Sequence, residues 1–273
     1  MLRNRVLTAA VLGPLLLAAI WLLPTPWLAL LLAVASALAA WEWTTLMGVT
    51  REGPRVALVA GFLATLPFAW AALEAGFGPP VLYAVSGFWV AALVGLVLFA
   101  FGALPRPGPL VAAGIGWLLL APTWLALVYL HGHTEWGPFW HTFLLLLVWG
   151  ADTGAYFAGR AWGRRKLAPR ISPGKSWEGA AGGLGAALLA GGLLYLVIQP
   201  VAPPFHWLLL LAALAVAGSV VGDLFESMLK RQRGVKDSGG ILPGHGGLLD
   251  RIDSLTAAAP ILAAGVAWWQ SGI

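Results

Sequence analysis

Long apolar runs, broken by clusters of Pro, Gly and charge, recur along the whole length of this chain. The breaks delimit nine candidate spans, at 5–23, 27–47, 56–74, 79–102, 109–130, 138–159, 177–199, 204–230 and 254–271. Each is long enough, as a helix rising 1.5 Å per residue, to cross about 30 Å of hydrocarbon. Only the short turn at 75–78 parts the third span from the fourth. The pattern predicts an all-α, polytopic integral membrane protein. No linker divides it, so residues 1–273 form one membrane domain, with 1–137 as a variable transmembrane scaffold and 138–273 as the half that carries chemistry.

Composition agrees: 60% of the 273 residues are hydrophobic, 10% are charged, and the mean hydropathy is +0.84. Without cysteine there is no disulfide, no thiolate metal site and no Cys nucleophile. The sixteen tryptophans suit membrane–water interfaces, where an apolar ring with one donor is at home. The basic start and apolar body of residues 1–23 resemble a signal peptide. They lack a small-x-small cleavage site and many spans follow, so the segment is read as a retained first helix.

Charge tests the span count independently. Arg3 and Arg5 precede the first span, Arg51 and Arg55 lie between the second and third, and Arg106 lies between the fourth and fifth. Arg160, Arg164, Arg165, Lys166, Arg170 and Lys175 fall between the sixth and seventh. Lys230, Arg231, Arg233, Lys236 and Arg251 lie at or beyond the end of the eighth and before the ninth. All sixteen Lys and Arg thus share one side. The positive-inside rule makes that side cytoplasmic, with the N-terminus inside and the C-terminus on the opposite side. A wrong span count would scatter them.

Acids stand beside these bases. Asp152 ends the sixth span, Glu178 opens the seventh, Asp223 and Glu226 lie in the eighth, and Asp237, Asp250 and Asp253 precede the ninth. A carboxylate at mid-bilayer costs about 2.5–3.5 kcal/mol on insertion scales, so several at one leaflet must pair with bases or hold a cation. Ser219, Asp223, Glu226, Ser227 and Lys230 fall within about a 100° stripe of one helix. Such a stripe faces protein or a cavity rather than lipid. Hard carboxylate oxygens without a His/Cys ligand set favour Mg²⁺.

Gly174-Lys175-Ser176 invites a P-loop reading, but Pro169 stands where that motif requires glycine. Ser172 as helix N-cap with Pro173 at the first helical position gives a better account, offering free N–H groups and Lys175 to a phosphate. His245, in P-G-H-G-G, reads as a phosphate contact or local structural hydrogen-bonder ahead of a general base, and Gly246 and Gly247 permit close backbone approach to an anion. Gly179, Gly183, Ala187 and Gly191 make a small-residue ladder that serves packing inside the monomer or a homodimer contact equally well.

The run Ser227–Asp253 resembles the signature of the phosphatidate cytidylyltransferases (CDP-diacylglycerol synthases), filling its positions at Ser227, Lys230, Arg231, Lys236, Asp237, His245, Gly246, Gly247, Asp250, Arg251 and Asp253. D-T-G-A-Y-F-x-G-R from Asp152 and S-P-G-K-S-W-E-G from Ser172 also look like blocks of that family, with Ser176 where Thr is more usual. These motifs cover about residues 149–254.

The resemblance implies transfer of the cytidylyl group of CTP to phosphatidic acid, giving CDP-diacylglycerol and pyrophosphate. It implies Mg²⁺, with a monovalent cation such as K⁺ in some members, and places Asp223 and Asp250 at the acidic metal positions. Asp152, Glu178 and Asp253 are further metal candidates. Lys175, Ser176, Ser227, Lys230, Arg231, Lys236, Gly246, Gly247 and Arg251 would face substrate phosphates. Asp237 and His245 join the catalytic set by the signature. The expected partners are CTP, phosphatidic acid and membrane lipid, with no nucleic acid. The expected place is the inner membrane of the cell, with the site facing the cytoplasm. A CTP-dependent polyprenol kinase would also want Mg²⁺ and a basic face, but would release CDP. A transporter of ions or anionic lipids would spread its charges through the membrane depth.

Overall fold

A computed structural model describes residues 2–198, 203–241 and 246–272. Among them run nine helices: α1 (Leu2–Leu22), α2 (Thr25–Met47), α3 (Glu52–Glu74), α4 (Gly78–Ala100), α5 (Pro109–Gly132), α6 (Gly137–Trp162), α7 (Trp177–Ile198), α8 (Phe205–Arg233) and α9 (Leu249–Gln270). Eight of these are long and apolar enough to cross a membrane, and α1 carries a shorter apolar stretch, Ala10–Leu22. The chain is an integral membrane protein. The expected spans correspond one for one with these helices.

Helix α9 is the hub, packed against α8, α5 and α4. Its sequence explains why: Ala257, Ala258, Ala259 and Ala263 present almost no bulk and are fully buried, so neighbouring backbones come close. The same device joins α6 to α7. A Cβ at Gly183 would lie 2.6 Å from the Ala151 carbonyl oxygen, and one at Gly179 would lie 3.0 Å from that of Ala155. Gly191 faces Phe143, and Ala187 is fully buried. The small-residue ladder of α7 is therefore used within the chain, and the homodimer expectation loses that basis.

Tryptophans divide between two tasks. Trp21, Trp27, Trp136, Trp162 and Trp177 are exposed, as interface anchors should be. Trp43, Trp124 and Trp140 are instead core residues, whose indole N–H groups donate to the carbonyl oxygens of Ala112 (2.9 Å), Ala29 (2.9 Å) and Glu135 (3.0 Å). Each bond satisfies a donor that apolar surroundings would otherwise leave unpaired.

The basic segments gather at one end of the bundle. Arg233 donates to the Met47 carbonyl at the end of α2, Arg170 to that of Ala100 (2.7 Å) and Gln232 to that of Pro105 (3.4 Å). At the other end His131 bridges Thr25 and the Ile20 carbonyl, both at 2.9 Å, and Trp21 donates to Thr142.

One local expectation is overturned. Ser172 does not cap a helix: Ser172–Ser176 is a strand (β2), antiparallel to β1 (Lys166–Ala168), with Lys166 opposite Ser176 and Ala168 opposite Ser172. Helix α7 starts at Trp177, and its cap is Ser176, whose hydroxyl oxygen accepts the Gly179 N–H at 3.1 Å. Pro173 biases Ser172 toward extended backbone, which a strand uses and a helix start does not need. The hairpin also gives the Trp177 N–H a partner, the Arg165 carbonyl at 2.9 Å.

Candidate active site

At the basic end, α6, α7, α8 and the hairpin enclose a cavity of about 510 Å³. Asp152 and Tyr156 line it from α6, Lys175 and Ser176 from β2, and Ser219 and Asp223 from α8. Three elements deliver the charges, each for a local reason. Asp152 is carried where α6 closes on α7 through glycine contacts. Lys175 is carried by strand β2, which brings Gly174 and Ser176 to the cavity wall with it. Asp223 lies on the polar stripe of α8, one turn from Ser219.

Lys175 forms an ion pair with Asp223, and both side chains keep about a quarter of their surface accessible. Ser227 donates to the other Asp223 oxygen at 3.3 Å. Asp152 feels the charges of Asp223, Lys175 and Arg251, and Asp253 feels those of Asp223, Lys230 and Lys175. Four of the predicted residues, Asp152, Lys175, Ser176 and Asp223, thus line one cavity.

A second cluster, more fully buried, adjoins the first. Lys230 Nζ donates to Asp250 Oδ1 at 2.6 Å and lies 3.1 Å from Glu226 Oε1, an ion-pair contact without hydrogen-bond alignment. All three side chains are at most 8% exposed. Asp250 Oδ2 also accepts the backbone N–H groups of Ser238 and Gly247, both at 3.0 Å. Lys230 is thus shared by two buried carboxyl groups, and the donors that offset the burial of Asp250 are its ammonium and the two backbone N–H groups. Gly246 has φ +80°, a backbone conformation that glycine takes freely.

The other predicted residues are placed outside both clusters. Glu178, at the first turn of α7, accepts the N–H groups of Arg164 (3.1 Å) and Arg165 (3.2 Å), tying down the hairpin entry. Arg231 donates to the Ile171 carbonyl (3.2 Å), joining the hairpin tip to α8. Lys236 and Asp237 are exposed in the turn after α8, and Arg251 is exposed at the start of α9. His245 lies outside the described residues.

One residue of this region escaped the sequence reading. Glu42, in the middle of W-E-W on α2, is 2% exposed and reaches the signature segment from the opposite half of the chain. It accepts the N–H of Leu249 at 2.8 Å and the hydroxyl of Ser238 at 3.3 Å. An acid inside an apolar span was the available signal.

The donor chemistry suits a hard divalent cation. Asp152 and Asp223 present carboxylate oxygens to one cavity beside a hydroxyl, and Mg²⁺ is commonly held by one or two carboxylates plus substrate phosphates. Among the described residues no three acidic or His side chains form a complete metal cage by themselves.

Fold and site together define a polytopic membrane protein with a cavity of paired acid and base at one end. Comparison with known proteins narrows this. The chain matches the cytidylyltransferase family over residues 3–269, far beyond the motif-bearing stretch, and it belongs to that family. It is similar to the phosphatidate cytidylyltransferase of Pseudomonas aeruginosa, with 44% identity over all of this chain and 98% of that protein. The Haemophilus influenzae phosphatidate cytidylyltransferase is 39% identical over 96% of this chain and 98% of the relative. That of Brucella suis is 38% identical over 96% and 92%.

Proposed function

We propose that this membrane enzyme transfers the cytidylyl group of CTP to phosphatidic acid at the cytoplasmic leaflet of the inner membrane. The observation that carries the reading is the cavity where Asp152, Asp223 and Lys175 converge, in a chain 44% identical along its whole length to a phosphatidate cytidylyltransferase. All sixteen Lys and Arg on one side of the span pattern support a cytoplasmic site and N-terminus, with the C-terminus opposite.

In the reaction a phosphate oxygen of phosphatidate attacks the α-phosphorus of CTP. The new P–O bond forms as the bond to the β-phosphate breaks, releasing pyrophosphate with the electron pair. The nucleophile is already ionised near neutral pH, so no general base is required and His245 is not assigned one. The problem is to bring two anions together, which is solved by fixed positive charge. Lys175 is within reach of Asp223 and of the cavity, so an arriving phosphate competes for its ammonium. Arg160 lines the cavity, Arg251 acts on Asp152 through its charge, and the Lys230 ammonium is fixed by Glu226 and Asp250. Asp223 and Asp152, which line the cavity, would hold Mg²⁺, with a monovalent cation such as K⁺ as a second ion; Asp250, held by Lys230 in the second cluster, and Asp253 are the further candidates. The metal would supply charge neutralisation on the phosphates and the departing pyrophosphate.

The test uses purified protein in mixed micelles with phosphatidic acid, Mg²⁺ and CTP labelled in the cytidine. Label moving into lipid with stoichiometric pyrophosphate, abolished by chelation, is the expected outcome. Release of CDP without pyrophosphate would instead establish a lipid kinase, and no turnover by folded protein would favour a transporter.

A further inference from the structure

Glu42 is a buried acid at the basic end, 2% exposed. It belongs to α2, in the half of the chain read as scaffold, and no salt bridge to it occurs among the described residues. Its oxygen Oε1 is buried without a hydrogen-bond partner among them. A carboxylate so placed is costly, and a packing role is met as well by Leu or Met. What it does instead is specific. Oε2 accepts from Leu249 N–H, the first residue of α9, and from Ser238 Oγ–H, whose own N–H holds Asp250. The two contacts are 11 residues apart in sequence (249 minus 238) and lie on either side of the Gly246-Gly247 pair.

The glycines confirm the fit. A Cβ on Gly247 would lie 2.6 Å from Glu42 Oε2, and one on Gly239 would lie 2.7 Å from the Glu42 carboxyl carbon. Both glycines are therefore occupied by Glu42 rather than by open space. Gly247, read from sequence as an anion contact, packs against this carboxylate, and its N–H serves Asp250. The turns of α2 that flank Glu42 are themselves tied down. Arg55 donates to Thr44 Oγ1 (2.7 Å) and the Trp41 carbonyl (3.0 Å) and stacks 3.9 Å over the Trp41 ring, and Arg233 caps Met47.

We propose that Glu42 is a positioning residue for the reaction: it clamps Ser238 and Leu249, and through them holds Asp250 against Lys230. The inference rests on the reading of the site given above. A shift of about 1 Å in groups that orient substrate can cost about 100-fold in rate.

The experiment compares wild type, Glu42→Ala, Glu42→Gln and a buried control on another helix, Leu130→Ala, all full-length in mixed micelles. Measured are kcat, KM for CTP, thermal unfolding and amide exchange at Ser238, Gly247 and Leu249. Glu42→Ala should lower kcat about 100-fold with KM changed less than about 3-fold, and should speed exchange at those three amides alone. Glu42→Gln keeps an acceptor for Leu249 and should restore most of the rate. Leu130→Ala should lower the unfolding temperature with kcat retained. Should Glu42→Ala not fold, Ser238→Ala takes its place, with kcat lowered about 10-fold and the same three amides exposed. A normal kcat in the folded variant, or a loss equal to that of Leu130→Ala at matched stability, overturns the proposal. If wild type itself transfers no cytidylyl label, the functional reading fails separately. The exchange arm then decides on the clamp, and unchanged exchange overturns it.

Discussion

Helices α3 and α4 on one side, and α8 and α9 on the other, are all apolar enough to cross a membrane, yet they live in different solvents. Of the most apolar stretch of α3 only 17% is buried in protein, and of α4 28%, against 56% for α8 and 61% for α9. Val90, Leu93, Val94 and Val97 of α4 point outward, while α8 turns Ser219, Asp223, Glu226 and Lys230 inward. Apolar length therefore says that a segment crosses, and says nothing about what it crosses against. The sparse polar residues decide that, because hydrocarbon rejects them. Helix α2 follows the rule with few polar residues: Ser36, Glu42 and Thr44 are all buried in the protein.

The contrast can be broken most sharply at Asp223. Asp223→Asn should reduce cytidylyl transfer about 100- to 1,000-fold, with helix content and unfolding temperature near those of wild type. Full activity would remove the cavity from consideration. Lys175→Met should cost less, about 10- to 100-fold, and should raise the KM for CTP if its ammonium meets a phosphate. At Lys230 the effect moves to stability. Lys230→Met leaves Glu226 and Asp250 buried without their cation and should destabilise by about 3–5 kcal/mol, read from unfolding in detergent. A Val at Gly183, driven into the Ala151 carbonyl, should cost about 1–3 kcal/mol. Smallest of all, Leu93→Ala or Val94→Ala on the outward face of α4 should change stability by no more than about 0.5 kcal/mol and leave kcat alone. An α4 effect as large as that of Gly183→Val would erase the distinction between the two regions.

Much of this was legible before any coordinates. The nine helices follow from apolar length, because each span must satisfy its own backbone in lipid. The stripe from Ser219 to Lys230 follows from helical periodicity, and the structure turns it inward as that periodicity requires. The hairpin was not legible. Its strands are three and five residues long, and a Ser-Pro pair signals a helix start as readily as an extended turn. The α7 ladder showed that a close approach occurs but could not name its partner, since Gly183 meets Ala151 only in three dimensions. Glu42 was hidden by distance: its bond to Leu249 spans 207 residues, and no local pattern encodes that pairing.

Helix α8 runs for 29 residues, which at 1.5 Å each is about 43 Å, well beyond about 30 Å of hydrocarbon. Asp223 sits ten residues, about 15 Å, from its Arg233 end. One rigid rod therefore fixes both the depth of the carboxylate and the height at which the basic segment emerges. A thicker or thinner bilayer is met by tilting such a rod, not by shortening it. The lipid around the protein thus acts as a mechanical setting on how far the headgroup of a lipid substrate must sink to meet the cavity.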